Sequence, residues 1–176
     1  QAAERLRAEL QQETLGFLLY SSLTEFYGRY AAFLVDQARP AEALAVVEHN
    51  RGRVLWERVQ SAAPRAPPPP RFEPLAPAAR GVLLSYWIGE RSFLWVVTPE
   101  STRVHELPPA RELANKVERY QASLLRSRDP LADGESLGSD LYRTLVAPAA
   151  SAITPGSRVV LVADGPLNQL SFDTLV

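Results

Sequence analysis

The hydrophobic positions fall into two regimes. Early in the chain they recur every three or four residues, at Leu15, Leu18, Leu19, Leu23, Phe26, Tyr27, Tyr30, Phe33 and Leu34. That spacing follows the turn of an amphipathic helix and predicts one running for several turns, with its aromatic stripe as helix-packing core. Residues 1–12 extend this helix or form one before it. Ala38-Arg39-Pro40 breaks the pattern. Pro40 suits the first turn of a second helix, where the N–H that proline lacks would have no partner anyway. Ala43, Leu44, Val47, Asn50, Val54, Leu55 and Val59 form the stripe of that helix. Two helices joined by so short a turn predict an antiparallel hairpin.

From residue 82 the pattern changes to short apolar runs. Residues 82–88 and 93–97 flank Gly89-Glu90-Arg91, which predicts a β-hairpin with Trp87 and Trp95 stacking across it. Residues 102–107 alternate less regularly and read as an edge strand. Pro108-Pro109 opens a helix whose face is Leu113, Val117, Tyr120, Leu124 and Leu125. A polar loop with Asp129-Pro130 and Gly134 leads to a helix capped by Ser139 or Asp140, running through Leu141, Tyr142, Leu145 and Val146. Arg158 leads into residues 159–163, which are apolar without alternation and predict a strand buried on both faces, as in a parallel sheet flanked by helices. It ends at Asp164-Gly165-Pro166.

Between the two regimes, residues 62–79 hold seven of the 15 prolines, including the unbroken Pro67 to Pro70. Four consecutive prolines must be extended, so this is a semi-rigid spacer. The tract is also of a kind that docks into aromatic-lined grooves. The predicted organisation is therefore helical over residues 1–61, a proline-rich linker over 62–80, and a mixed α/β sheet over 81–176.

Composition narrows the chemistry. Nineteen basic and 20 acidic side chains leave a net charge of -1. No excess of cations exists to release counterions from nucleic acid, so no nucleic-acid partner is expected. No apolar run reaches the length of about 18 residues that a membrane span needs, so no membrane partner is expected. There is no Cys, which excludes disulfides, thiolate metal sites and a cysteine nucleophile within these residues. Arg is used almost to the exclusion of Lys, alongside abundant Ala and Pro; this bias suggests a GC-rich genome and says nothing about chemistry, and a bacterial source is expected. The chain begins at Gln1 and holds no Met, so it is expected to be a piece of something longer.

Few residues qualify for a site. His49, beside Asn50 and Arg51, reads as a solvated or capping helix residue, and His105 as a residue on the exposed face of a strand. Two separated histidines without a coherent carboxylate spacing make a poor metal site. No glycine-rich phosphate loop occurs. No catalytic, cofactor-binding or metal-binding residue is assigned, and no cofactor is expected. Asp164-Gly165 is the most site-like feature, because strand ends of open α/β sheets bind ligands. The same dipeptide also suits a plain turn, with Asp accepting local hydrogen bonds and Gly permitting positive φ. A triad of Ser85 or Ser171 with His105 and Asp164 lacks any G-x-S-x-G frame, and Ser171, beside Phe172, reads as a packing position. Arg51, Arg53 and Arg58 interleave with Glu48 and Glu57, combining a solvated face with a contact surface.

The order of these pieces resembles the CHAT family, caspase-like domains found beside tetratricopeptide repeats. Pro40-Ala-Glu-Ala-Leu-Ala-Val-Val-Glu48, with Arg51-Gly-Arg53 and Leu55, is similar to the family's last repeat helix. Leu84-Ser-Tyr86 through Phe93-Leu-Trp-Val-Val97 is similar to its opening strands. Leu141-Tyr142, Leu145-Val146 and Pro148, then Val159-Val-Leu-Val-Ala-Asp-Gly-Pro-Leu167 and Leu170-Ser-Phe172, follow its next segment, with Ser171 replacing the usual proline. The resemblance covers nearly the whole chain apart from the spacer. It implies a tetratricopeptide-like α-helical hairpin followed by an incomplete mixed α/β sheet of caspase-like type. It also implies a cysteine peptidase of the caspase and separase type, with a His–Cys pair as base and nucleophile. In such domains both residues lie at the ends of later strands, so neither is assigned here.

On that resemblance the chain is the repeat module and non-catalytic first part of a peptidase, inactive by itself and cytoplasmic. Its partners would be a protein or peptide substrate and the rest of the CHAT domain. A non-catalytic tetratricopeptide-type interaction scaffold with a degenerate α/β half is the alternative, and a ligand-sensing module using Asp164 is a third.

Overall fold

The computed structural model describes residues 23–62, 81–125 and 137–175, with the backbone alone over 53–62. The chain divides into two compact units, Gln1–Phe72 and Glu73–Val176. The proline tract, residues 1–12 and the loop around Asp129-Pro130 lie outside the described residues.

In the first unit, helix α1 covers residues 23–36 and α2 runs over Pro40–Ala62. The connection is closed by backbone hydrogen bonds. Arg39 N–H donates to the Leu34 carbonyl at 2.9 Å, and Ala38 N–H to the Val35 carbonyl at 2.9 Å. These are the paired bonds of a Schellman cap, whose turning residue adopts the left-handed conformation. That residue is Ala38, at φ 56°. Pro40 then starts α2, as its position in the sequence predicts. The Tyr27 and His49 rings lie 6.5 Å apart, which brings the two helices side by side in antiparallel order.

The seam between them is built from alanine and aliphatic residues. Ala31, Ala32 and Leu34 are buried in α1, and Ala43, Leu44 and Val47 in α2. Of the aromatic stripe expected to pack there, only Tyr27 does. Phe26 is 61% exposed, Phe33 54% and Tyr30 43%. With about 3.6 residues per turn, the stripe divides between two neighbouring faces. Tyr27, Ala31 and Leu34 share the face of the seam, while Phe26, Tyr30 and Phe33 lie beside it. Phe26 and Tyr30 instead stack on each other, with centroids 6.4 Å apart. Asn50 continues the α2 seam at 3% exposure, and its side-chain oxygen has no hydrogen-bond partner.

The second unit contains helices and a four-stranded mixed sheet. Strands β1 (Val82–Trp87), β2 (Ser92–Val97), β3 (Thr102–Leu107) and β4 (Val159–Val162) lie in the order β3-β2-β1-β4. The first three form an antiparallel meander, and β4 pairs in parallel with β1, Val82 opposite Val159 and Ser85 opposite Val162. A parallel pair requires a long crossover. Here it carries α3 (Ala110–Leu125), α4 (Leu137–Leu145) and a 3-10 helix, Ala147–Ala152.

One sheet face, with Val82, Leu84, Tyr86, Leu94 and Val96, packs with Leu113, Val117 and Tyr120 of α3 and Leu141 and Leu145 of α4. Burying each large side chain there contributes roughly 1.5–3 kcal/mol. Two tyrosines place their hydroxyls on backbone acceptors. Tyr86 donates to the Leu145 carbonyl at 2.8 Å, and Tyr120 to the Thr174 carbonyl at 2.8 Å. Burial pushes the Tyr86 phenol above its ordinary pKa, so it remains a neutral donor. On the surface, Lys116 of α3 bridges Glu112 at 3.2 Å and Asp140 of α4 at 3.0 Å.

Three expectations need correction. Helix α4 begins at Leu137 rather than behind a Ser139 or Asp140 cap, because that start aligns Leu137, Leu141 and Leu145 toward the core. Trp87 lies opposite Phe93, and Trp95 opposite Ser85. The two tryptophans are therefore diagonal, and the Trp95 ring lies against Phe93, with centroids 5.6 Å apart. Finally, β4 is not buried on both faces. Among the described residues it pairs on one side only, and Val160 and Leu161 are each 41% exposed.

Two backbone positions generate predictions. Replacing Ala38 by Gly should raise the urea midpoint of the helical unit, followed by far-UV circular dichroism, corresponding to a gain of about 1 kcal/mol, because Gly accepts positive φ without a Cβ penalty. Gly81 has φ 155°, and a Cβ there would lie 2.3 Å from the Arg158 carbonyl oxygen, beside the bond from Val82 N–H to that same oxygen at 2.9 Å. Gly81→Ala should therefore loosen β4 from β1 at a cost of about 2 kcal/mol or more, measured as faster amide exchange over Val159–Val162.

Candidate functional site

In open α/β sheets the carboxyl ends of parallel strands are the usual place for ligands. Here those ends are Trp87 of β1 and Val162 of β4. The residues that follow bind each other. Ile88 N–H donates to Asp164 Oδ2 at 2.7 Å. The Asp164 backbone carbonyl accepts Leu167 N–H at 3.1 Å, opening the 3-10 helix Gly165–Gln169. Gly165 turns the chain at φ 52°, and Leu167 is fully buried in the core. A charge-assisted bond from a backbone N–H to a half-buried carboxylate is among the stronger single hydrogen bonds. Asp164 thus ties the two strand ends together and starts the turn.

The remaining candidates are dispersed. Ser85 is fully buried opposite Trp95. His105 is in register with Leu94 and Tyr86, one position along the pleat, so it leaves the opposite face of the sheet from Ser85. Ser171 is exposed, and its carbonyl accepts the Thr174 hydroxyl at 2.7 Å. The packing expected of Ser171 is done by Phe172, whose ring is 5.6 Å from that of Tyr86. No Ser–His–Asp arrangement results. In the helical unit His49 is exposed, and Arg51 pairs with Glu48; the side chains of Arg53 and Arg58 lie outside the description. Among the described residues no cluster of three His, Asp or Glu side chains is placed to hold a metal ion, and no helix is long and apolar enough to cross a membrane.

His105 is also not on the solvent face expected from the sequence. It is half-buried and points to the side that carries α3 and α4, together with Arg103. Arg103 and, from the 3-10 helix, Ser151 were not singled out by sequence reasoning. The alternation of Arg103 and His105 along β3 was legible, but which face the helices cover was not.

Neither a family model, nor a curated protein, nor a solved structure matches the chain.

The tie at the strand ends has a measurable weight. Asp164→Ala leaves the Ile88 N–H without its carboxylate and should cost about 1–3 kcal/mol, read as a lower denaturation midpoint and faster exchange at Ile88. An unchanged midpoint would show that Asp164 does not hold the strands.

Proposed function

We propose that this chain is the helical-repeat module and the non-catalytic opening part of a caspase- and separase-like cysteine peptidase of the CHAT kind. On this reading it is cytoplasmic, recognises a protein partner or peptide substrate, and is inactive by itself. The supporting observation is strand β4. It is parallel to β1 and apolar along its length, yet it lies at the sheet edge among the described residues, with Val160 and Leu161 half in solvent. Parallel strands of this composition are usually covered on both faces and extended by further strands. A continuing sheet would cover β4 and could carry a nucleophile and base on its later strand ends. The residues present do not offer that chemistry: the strand-end carboxylate is engaged with Ile88, and no thiol exists in the sequence.

The tetratricopeptide-type scaffold remains a second reading because of the exposed aromatic face of α1, where Phe26, Tyr30 and Phe33 offer a surface suited to a protein partner. One experiment separates the outcomes. The purified chain, incubated with a quenched peptide library, should give no hydrolysis above buffer, and turnover by this chain would overturn the proposal. The reading frame containing it should encode a His and a Cys at the ends of successive later strands; a frame without them leaves the scaffold.

A further inference from the structure

Strand β3 and the 3-10 helix Ala147–Ala152 enclose a concavity of about 370 Å³ that plays no part in the strand-end turn. Its size falls within the range of small-molecule sites. Arg103 and His105 line it from β3, and Pro148 and Ser151 from the 3-10 helix. In register, Arg103 is opposite Val96 and His105 opposite Leu94, both core residues. The two polar side chains therefore leave the sheet on its helix-covered side, where the cover is reduced to one short helix. Val96 supplies an apolar lining.

Two features indicate the charge of an occupant. Arg91 and Lys116 in the same unit each hold a carboxylate, whereas Arg103 holds none among the described residues. An unpaired guanidinium presents a planar fork of donors that matches a carboxylate. Glu100 also lines the concavity without pairing to Arg103. Its charge repels any anion, and a phosphate carrying about two charges at neutral pH more strongly than a single carboxylate. The turn beside it is already satisfied internally, since Thr98 Oγ1 accepts Ser101 N–H at 3.1 Å and Glu100 N–H at 3.3 Å. The wall is thus built before any ligand arrives.

We propose that this concavity binds a monocarboxylate with a short apolar tail, the carboxylate on Arg103 and His105 and the tail against Val96 and Pro148. The inference is independent of the peptidase reading. The carboxylate can belong to a free acid or to the C-terminus of a peptide. A peptide would gain strand pairing along β3, whose outer edge is open among the described residues.

The test is an amide-resonance titration of the full chain with 4-methylpentanoate, with N-acetyl-alanyl-leucine, and with neutral 4-methylpentanamide. Saturable shifts at Arg103, His105 and Ser151 are expected with a carboxylate and not with the amide. Arg103→Gln should weaken binding about tenfold or more, and Arg103→Lys, which keeps the charge but loses the fork, should fall between. Both variants alter an exposed side chain, and unshifted resonances elsewhere would show that the fold is retained. Tighter binding of the dipeptide assigns the carboxylate to a peptide terminus; equal or weaker binding assigns it to a free acid. No saturable shift with either carboxylate at ~10 mM, or undiminished binding by both variants, would overturn the proposal.

Discussion

The α/β unit depends on the parallel pairing of β1 with β4. The two strands are separated in sequence by β2, β3, α3, α4 and the 3-10 helix, so theirs is the strand pairing that closes the longest loop among the described residues and carries the largest closure entropy of the sheet. The return comes from what closure brings together. Leu84 and Tyr86 on β1 meet Leu113, Leu141 and Leu145 of the crossover helices, and Leu167, just beyond β4, enters the same core. The contact requires close backbone approach at Gly81 and Arg158, and it is clasped at the far end by Asp164 and Ile88.

Once that pairing is made, the pleat assigns every candidate residue to a side. Tyr86 faces the helices and spends its hydroxyl on the Leu145 carbonyl. Ser85, one residue earlier, is buried on the other face against Trp95. Because side chains alternate strictly along a strand, Ser85 and His105 cannot share a site. The same rule places His105 and Arg103 together on the helix side. Arg103 and His105 thereby line one concavity at the β3 rim of the sheet, away from the parallel strand ends. The strand ends, where α/β folds commonly work, serve stability in this chain.

Much of the architecture was legible in the chain. Pro40 marked the start of α2, Pro108-Pro109 the start of α3, and residues 82–88 and 93–97 the hairpin, because proline geometry and hydrophobic period act locally. Asp164-Gly165 could be read as a turn for the same reason. The misreadings share another cause. The aromatic stripe Phe26, Tyr27, Tyr30 and Phe33 reads as one packing face, although only the side bearing Tyr27, Ala31 and Leu34 meets α2. The apolar β4 looked interior, although its neighbours decide its burial. The place of Arg103 on the concavity was invisible because an arginine on an edge strand looks the same whether its face is bare or roofed.

The sequence by itself determined the element types, the junction between a helical and a mixed α/β part, and the absence of thiol chemistry from these residues. Local backbone preferences and composition are properties of short segments and survive without a fold. Only the tertiary structure decided which face of α1 is covered, that β4 is an edge, that Asp164 belongs to a strand clasp, and that Arg103 and His105 line one concavity. Those outcomes depend on which distant segments pack together, and burial, register and charge neighbourhood are properties of the packed pair rather than of either segment.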